Sequence, residues 1–371
     1  MLPKYARRMI AGLVLAVGAV ASAATPQGDA QAPRGIENAQ LELRTAKGDL
    51  ATAVRAAAGT AGVVWVGYSA PAVRADGGMC CYEENDEADK VCGVCRLGRR
   101  GSYMEQVGSG HDDNVVLEGD PELRVLVRVE NGETSRIRAF SSACVIDAGG
   151  ARVVWLSGVT GVASVDWLAG IVESRTRTAR RSDHLTEGAL SSLAMHAGSE
   201  ALGRLEGWAT GRHPRKLREQ AIFWLGAARG EEAWQTLVDL VSAASDAQIR
   251  DRAVFAAYVA QQPGSVELLI GAAREDASNK VRRSALMWLA QLAGERAIAA
   301  IQEALDDPDT EVKRHAVFAL SQLPADRGVP LLIAIVRENP NPEVRKQALF
   351  WLGQTGDERA LALIEELLLG A

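Results

Sequence analysis

Leu217-Arg-Glu-Gln-Ala-Ile-Phe-Trp-Leu, Ile249-Arg-Asp-Arg-Ala-Val-Phe-Ala-Ala, Val281-Arg-Arg-Ser-Ala-Leu-Met-Trp-Leu, Val312-Lys-Arg-His-Ala-Val-Phe-Ala-Leu and Val344-Arg-Lys-Gln-Ala-Leu-Phe-Trp-Leu align without gaps. Their first residues lie 32, 32, 31 and 32 positions apart. A weaker copy, Leu185-Thr-Glu-Gly-Ala-Leu-Ser-Ser-Leu, stands 32 residues before the first. A second column, Ala201, Ala233, Ser265, Ala297, Gly328 and Ala360, recurs at 32, 32, 32, 31 and 32. Both columns share one single-residue deletion, which marks a genuine internal repeat.

Each unit reads as two helices. Val344, Ala348, Leu349 and Leu352 fall at helical spacing, with Arg345 and Lys346 turned away. Gln354-Thr-Gly-Asp357 closes the first helix, Gly356 supplying a permissive backbone. From Arg359 to Leu369, one face of the second helix carries Leu361, Ile364, Leu367 and Leu368. Ser182, Asp246, Ser278, Asp309 and Asn341 occupy the N-cap column, where a side-chain oxygen accepts from an otherwise unpaired N–H. Pro342 takes the first helical position, and Pro214 departs from the cap pattern.

The V-[RK]-x-x-A-[LIV]-F-x-L helix, followed by a Gly-Asp-x-x-Ala-Leu helix, resembles HEAT repeats in the short bacterial form of the phycobilisome-lyase type. Tetratricopeptide and ankyrin signatures are absent from the sequence. The resemblance covers residues 182–371 and implies an α-solenoid of six helix pairs, the usual form of a protein-binding scaffold. Neighbouring pairs would bury one continuous apolar layer.

Two recurring columns bear on function. Arg218, Arg250, Arg282, Lys313 and Arg345 form either a basic stripe for an anionic ligand or a set of cations that pair with adjacent turns. Accompanying acidic residues and a net negative array favour the second reading. Trp224, Trp288 and Trp351 recur in alternate units, whereas Ala256 and Ala319 hold the same position in between. The fold therefore does not require the bulk. These Trp are expected either to fill alternate gaps between repeats or to form a stripe for a partner.

Upstream of the array the pattern changes. Residues 38–60 have helical spacing through Leu43, Leu50 and Val54, Val63-Val-Trp-Val-Gly67 reads as a buried strand, and Val115-Val-Leu117 as another. Leu123 to Val129 and Thr134 to Phe140 flank Asn131-Gly132, a hairpin signal. Cys144-Val-Ile146 and Val153-Val-Trp-Leu156 flank the turn Asp147-Ala-Gly-Gly150, and Ser164 to Val172 reads as a helix. The expectation is a small α+β domain over 38–173 with a mainly antiparallel sheet. A basic linker over 174–181 then leads to the array over 182–371.

All five cysteines, Cys80, Cys81, Cys92, Cys95 and Cys144, fall in this region. Disulfides, a zinc site and a redox pair at Cys92 and Cys95 compete. Adjacent Cys80 and Cys81 suit zinc poorly, and the Cys-x-x-Cys lacks a strand-to-helix setting. An odd count leaves at least one cysteine free or paired outside the chain. His111-Asp112-Asp113 and Glu83-Glu-Asn-Asp-Glu87 read as solvated loops rather than metal sites. Nucleophile-elbow, phosphate-loop and His-Glu-x-x-His motifs are absent from the sequence.

Met1 to Arg8 is basic, Met9 to Val20 is uncharged and apolar, and Ala21-Ser22-Ala23 offers small residues for cleavage. That is a secretory signal over 1–23. Twelve residues reach about 18 Å as a helix, short of a hydrocarbon core of about 30 Å. Residues 24–37 read as a disordered lead-in. The 371-residue chain has a formal charge of −6, which falls to about −9 once Lys4, Arg7 and Arg8 are removed. Such a balance disfavours nucleic acid. The sequence thus points to an exported, periplasmic or secreted, non-enzymatic scaffold for a protein partner, without cofactor, metal or membrane insertion. The alternatives are a thiol-redox or metal-dependent enzyme in the Cys-rich domain, and a lyase-like cradle for a cofactor.

Overall fold

The computed structural model describes residues 32–73, 95–98, 122–142, 144–178 and 184–369. Its first part comprises β1 (Ile36–Glu37), β2 (Gln40–Thr45), α1 (Leu50–Ala58), β3 (Val63–Pro71), β4 (Cys95–Arg96), β5 (Glu122–Glu130), β6 (Glu133–Ser141), β7 (Ile146–Asp147), β8 (Arg152–Ser157) and α2 (Gly161–Thr178). The main sheet has the order β2-β8-β3-β5-β6. β8 runs parallel to both β2 and β3, whereas β5 runs antiparallel to both β3 and β6. The sheet is therefore mixed rather than mainly antiparallel. After β7 the chain inserts β8 between β2 and β3 instead of extending an edge. β3 and β8 are buried along nearly their whole length, as central strands covered on both faces must be.

Two further expectations are corrected. Residues 38–60 are a strand and then a helix. Leu41 and Leu43 alternate with Glu42 and Arg44 at the period of a strand. Gly48 then turns with φ +72°, and Asp49 caps α1 by accepting from Thr52 N–H at 2.9 Å. The supposed linker is helical as far as Thr178, because α2 continues through 174–178. Cys144-Val-Ile146 contributes only Ile146 to a strand. The Asn131–Gly132 hairpin forms as expected, with both residues in left-handed backbone at φ +51° and +83°. Val115-Val-Leu117, His111-Asp112-Asp113, Glu83 to Glu87 and the signal segment lie outside the described residues.

The sheet separates two cores. Val66, Tyr68, Val125, Val127 and Val154 join the helices on one face. Trp65, Leu126, Phe140 and Val153 face the small β1-β7-β4 sheet on the other, with Cys95, Leu97 and Cys144.

The array comprises α3 (His184–Ala194), α4 (Ser199–Thr210), α5 (Arg215–Arg229), α6 (Trp234–Ala243), α7 (Ala247–Ala260), α8 (Ser265–Glu275), α9 (Asn279–Leu292), α10 (Glu295–Glu303), α11 (Thr310–Ser321), α12 (Ala325–Glu338), α13 (Pro342–Thr355) and α14 (Glu358–Leu369). These are the six helix pairs the spacing predicts, with α3, α5, α7, α9, α11 and α13 as first helices. The aliphatic column is buried from Leu185 to Val344. The small column is buried too. At Gly328 a Cβ would lie 2.7 Å from Leu320 O, so the two helices of that pair approach too closely for a larger residue. Asp246, Asp309 and Asn341 accept at their helix N-termini as predicted. Ser278 makes no side-chain cap bond; Asp276 Oδ1 instead accepts from Ser278 N–H at 2.7 Å.

The first helix pair is built onto the sheet. A Cβ on Gly188 of α3 would meet Ile137 O of β6 at 2.2 Å. Past β3 the chain pairs with the turn after α3, Val73 N–H donating to Met195 O and Ala197 N–H to Pro71 O, both at 2.9 Å. Beneath this seam runs a buried relay. Ser192 O can only accept, so His196 Nδ1, 2.7 Å away, carries the proton. His196 Nε2 then accepts from Ser164 Oγ at 2.8 Å, and Ser164 Oγ accepts from the Tyr68 hydroxyl at 2.7 Å. Arg229 of α5 donates to His196 O and Gly198 O at 2.6 and 2.7 Å. β3, α2, α3 and α5 are thereby tied at one point.

Burial holds His196 below the ordinary imidazole range, the Ser192 carbonyl opposes this, and the Arg229 charge adds to it. The unfolded chain therefore takes up this proton first as pH falls. The stabilisation is complete above the unfolded value of about 6.5 and is lost as pH falls through the lower folded value. Urea unfolding should show stability falling from pH 7.5 to 5, and His196→Gln should flatten that part of the profile. Equal slopes in both proteins would exclude His196 as the group responsible.

Candidate functional site

Between repeats, the cations one residue after the aliphatic column (position +1) are consumed internally at Arg250 and Arg282. Arg250 Nη1 donates to Ala244 O in the turn before its own helix, at 2.8 Å. Its Nε and Nη2 donate to both oxygens of Asp276 in the next turn, at 2.7 and 2.9 Å. Arg282 repeats the pattern one unit on, with Asp276 O at 2.8 Å and both Asp307 oxygens at 2.9 and 3.0 Å. Arg218 donates to Ala209 O, and Arg345 to Asn339 O. Burial of Asp276 opposes its ionisation, but hydrogen bonds from Arg250 and Ser278 N–H outweigh it and hold the carboxyl below its usual range. The column laces the stack, as its acidic company suggested. A bidentate fork needs guanidinium and carboxylate, so Lys313 and Asn339 cannot reproduce it at the next step.

The second helices are laced by surface pairs. Arg274 bonds Glu303 at 2.7 Å, Arg337 bonds Glu366 at 2.7 Å, and Arg296–Glu267 and Arg327–Glu295 pair likewise. Charge on this side is largely spent within the molecule.

The first helices carry most of the array's aromatic residues, with Trp208 on α4 and Trp234 on α6 as exceptions. Trp288 lies 4.7 Å from Phe255 and 4.8 Å from Tyr258 between ring centroids, across the boundary between α7 and α9. Trp351 meets Phe318 at 5.0 Å across the boundary between α11 and α13. Trp224 packs on Phe223 at 5.2 Å, and Phe223 stacks on Phe255 at 6.1 Å. All three Trp are half-buried, and Trp288 and Trp351 pack across the boundary to the preceding repeat. The indole nitrogens of Trp288 and Trp351 are buried, so the exposed part of each ring is carbon. Phe350, beside Trp351, is 55% exposed. An apolar row thus runs along the first helices where the second helices present ion pairs.

Of the predicted disulfide candidates, Cys80, Cys81 and Cys92 lie outside the described residues. Cys95 and Cys144 share the small second core and are buried, with Cys95 N–H donating to Val145 O at 2.8 Å. Arg124 and Arg138 reach into the same region, bonding Cys144 O at 3.2 Å and Arg96 O at 2.7 Å. Among the described residues no three His, Cys, Asp or Glu cluster as a metal site, and no helix is long and apolar enough to cross a membrane.

A sequence profile for HEAT repeats matches residues 237–320, 266–339 and 299–370. Residues 237–370 are HEAT repeats. The three helices before them, α3, α4 and α5, belong to the same helix-pair stack. No curated protein matches the chain in sequence. Solved structures similar to the HEAT array include human deoxyhypusine hydroxylase in complex with glycerol, at 16% identity over 55% of this chain and 89% of that one, with a TM-score of 0.28. A designed armadillo repeat protein in complex with the peptide (KR)4 matches at 19% identity over 53% and 98%, with a TM-score of 0.31. The CpcE and CpcF complex of phycocyanin lyase from Nostoc matches at 15% over 51% and 98%, with a TM-score of 0.25. None of these likenesses brings an activity or a ligand to this chain.

The Arg282–Asp307 fork is nearly buried, its side chains 12% and 8% exposed, whereas those of Arg274–Glu303 are 50% and 55% exposed. A double-mutant cycle on the first pair should give a coupling of about 1.5–3 kcal/mol, against less than about 1 kcal/mol for the second. Equal couplings would mean that the column does not lace the stack.

Proposed function

We propose that the chain is an exported, non-enzymatic scaffold that captures a protein partner along its first-helix layer. The observation that carries this reading is the row of outward carbon edges at Trp288, Trp351 and Phe350, on the layer where charge is least tied up in ion pairs between helices. Aromatic residues of this kind anchor interfaces because they bury much area at little entropic cost. The basic, apolar and small-residue N-terminal sequence supports export.

We also assign Cys95 and Cys144 to disulfides. Both sit in the same apolar core. A thiol-redox centre needs a reachable sulfur, and these two sulfurs are buried.

Two measurements test the proposal. Trp288→Ala, which removes ring contacts with Phe255 and Tyr258, should lower stability by about 2–4 kcal/mol. Phe350→Ser should leave Tm within about 2 °C and weaken partner capture about tenfold or more. Unchanged capture by Phe350→Ser would argue against this face. The intact mass of the native chain should correspond to a start at Ala24, less two hydrogens per disulfide. A mass that includes residues 1–23, or five free thiols, would overturn the export and disulfide assignments respectively.

A further inference from the structure

One register of the first helices is only partly consumed by lacing, through Asp251 and Lys280. It lies two residues after the aliphatic column, and in chain order its occupants are Glu187, Glu219, Asp251, Arg283, Arg314 and Lys346. The first three are acidic and the last three basic. Glu187, Arg314 and Lys346 are exposed and the other three half-buried. Three members have a countercharge nearby: Asp251 pairs with Lys280 of the next first helix at 2.8 Å, Arg314 pairs with Glu311 at 3.0 Å, and the Arg252 guanidinium lies near both Glu219 and Asp251. Both ion pairs include an exposed, solvated partner, which neutralises a charge only weakly. His184 approaches Glu187 at 3.6 Å. Arg283 and Lys346 make no ion pair among the described residues, and Arg283 Nε has no hydrogen-bond partner there.

The stripe is bipolar, changing sign between α7 and α9. It runs beside the apolar row, in which Phe350 lies four residues, and Trp288 and Trp351 five residues, further along their helices. Successive first helices pack at about 8–10 Å. A chain extended as a polyproline II helix rises about 3.1 Å per residue with three residues per turn, so about three residues span one repeat and every third side chain faces the same way.

We propose that this layer binds an extended peptide segment with its charges in two blocks, basic residues opposite α3, α5 and α7 and acidic residues opposite α9, α11 and α13. Charged side chains recur at about every third residue, with apolar side chains between them on the aromatic row. The inference rests on the scaffold reading and adds the chemistry of the partner. A uniformly acidic or uniformly basic segment meets repulsion over half the stripe. A segment with the same charges alternating in sign meets it in two or four of the six units, according to its phase.

The test uses the full mature chain and synthetic 18-residue peptides. One has three basic and three acidic side chains in blocks at every third position, with apolar residues between. A control has the same composition with the signs alternating. At low salt the block peptide should bind at least about tenfold more tightly, and the difference should shrink in about 0.5 M salt. The R283E/R314E/K346E variant makes the stripe uniformly acidic. It should lose the block preference and select a uniformly basic peptide.

Equal affinity for block and alternating peptides, binding of neither, or preferences untouched by charge reversal would overturn the proposal. So would a wild-type dimer in sedimentation that R283E/R314E/K346E dissociates, because the occupant would then be a second copy of the chain. If Phe350→Ser still weakens partner capture while the peptides show no block preference, the scaffold reading survives and this inference alone fails.

Discussion

No helix pair in this array can bury its own apolar face, and everything downstream follows from that constraint. Leu185, Leu217, Ile249, Val281, Val312 and Val344 are buried only because another layer lies against each. The first layer is not a repeat. It is β6 and α2, against which α3 packs so closely that position 188 has no room for a Cβ. The sheet therefore acts as the cap that a solenoid end requires. The apolar core runs without interruption from Val66 in β3 to Leu363 in α14.

Stacking also decides where charge is available. Repeats that touch through apolar residues still have turns with unpaired carbonyls, and the guanidinium at +1 reaches both its own turn and the next. That geometry consumes Arg250 and Arg282 and removes the most conspicuous cationic column from ligand binding. Pairs such as Arg274–Glu303 do the same for the second helices. What remains outward on the first helices includes the aromatic row and a stripe whose sign reverses midway.

Much of the architecture was legible in the sequence, because a 32-residue period samples the same physical environment six times. The aliphatic and small columns, three acceptor caps and the twelve helices could all be placed from spacing alone. The mixed sheet could not, because strand order is set by which edge β8 finds, and no local pattern records that. Leu43 misled for a related reason. In a stretch containing Leu41, Leu43, Leu50 and Val54, periods of 2 and 3.6 share several positions, and only Gly48 and Asp49 separate strand from helix.

The site was half legible. The Trp register was visible as a column, but its dual character depends on which edge of each ring is buried, which only the packing settles. The relay of Tyr68, Ser164 and His196 joins residues 96 and 32 positions apart, so no motif announces it. The charge reversal from Asp251 to Arg283 is present in the aligned repeats. It acquires meaning only once the neighbouring +1 column is seen to be occupied.

The account turns on which layer meets the partner, and site-directed photo-crosslinking tests that most directly. A photo-reactive residue would replace Met287 on the first-helix layer in one protein and the exposed Ala299 on the second-helix layer in another. Irradiation in the native compartment should link a partner from position 287 and leave position 299 unlinked. Cross-links confined to position 299 would contradict the account.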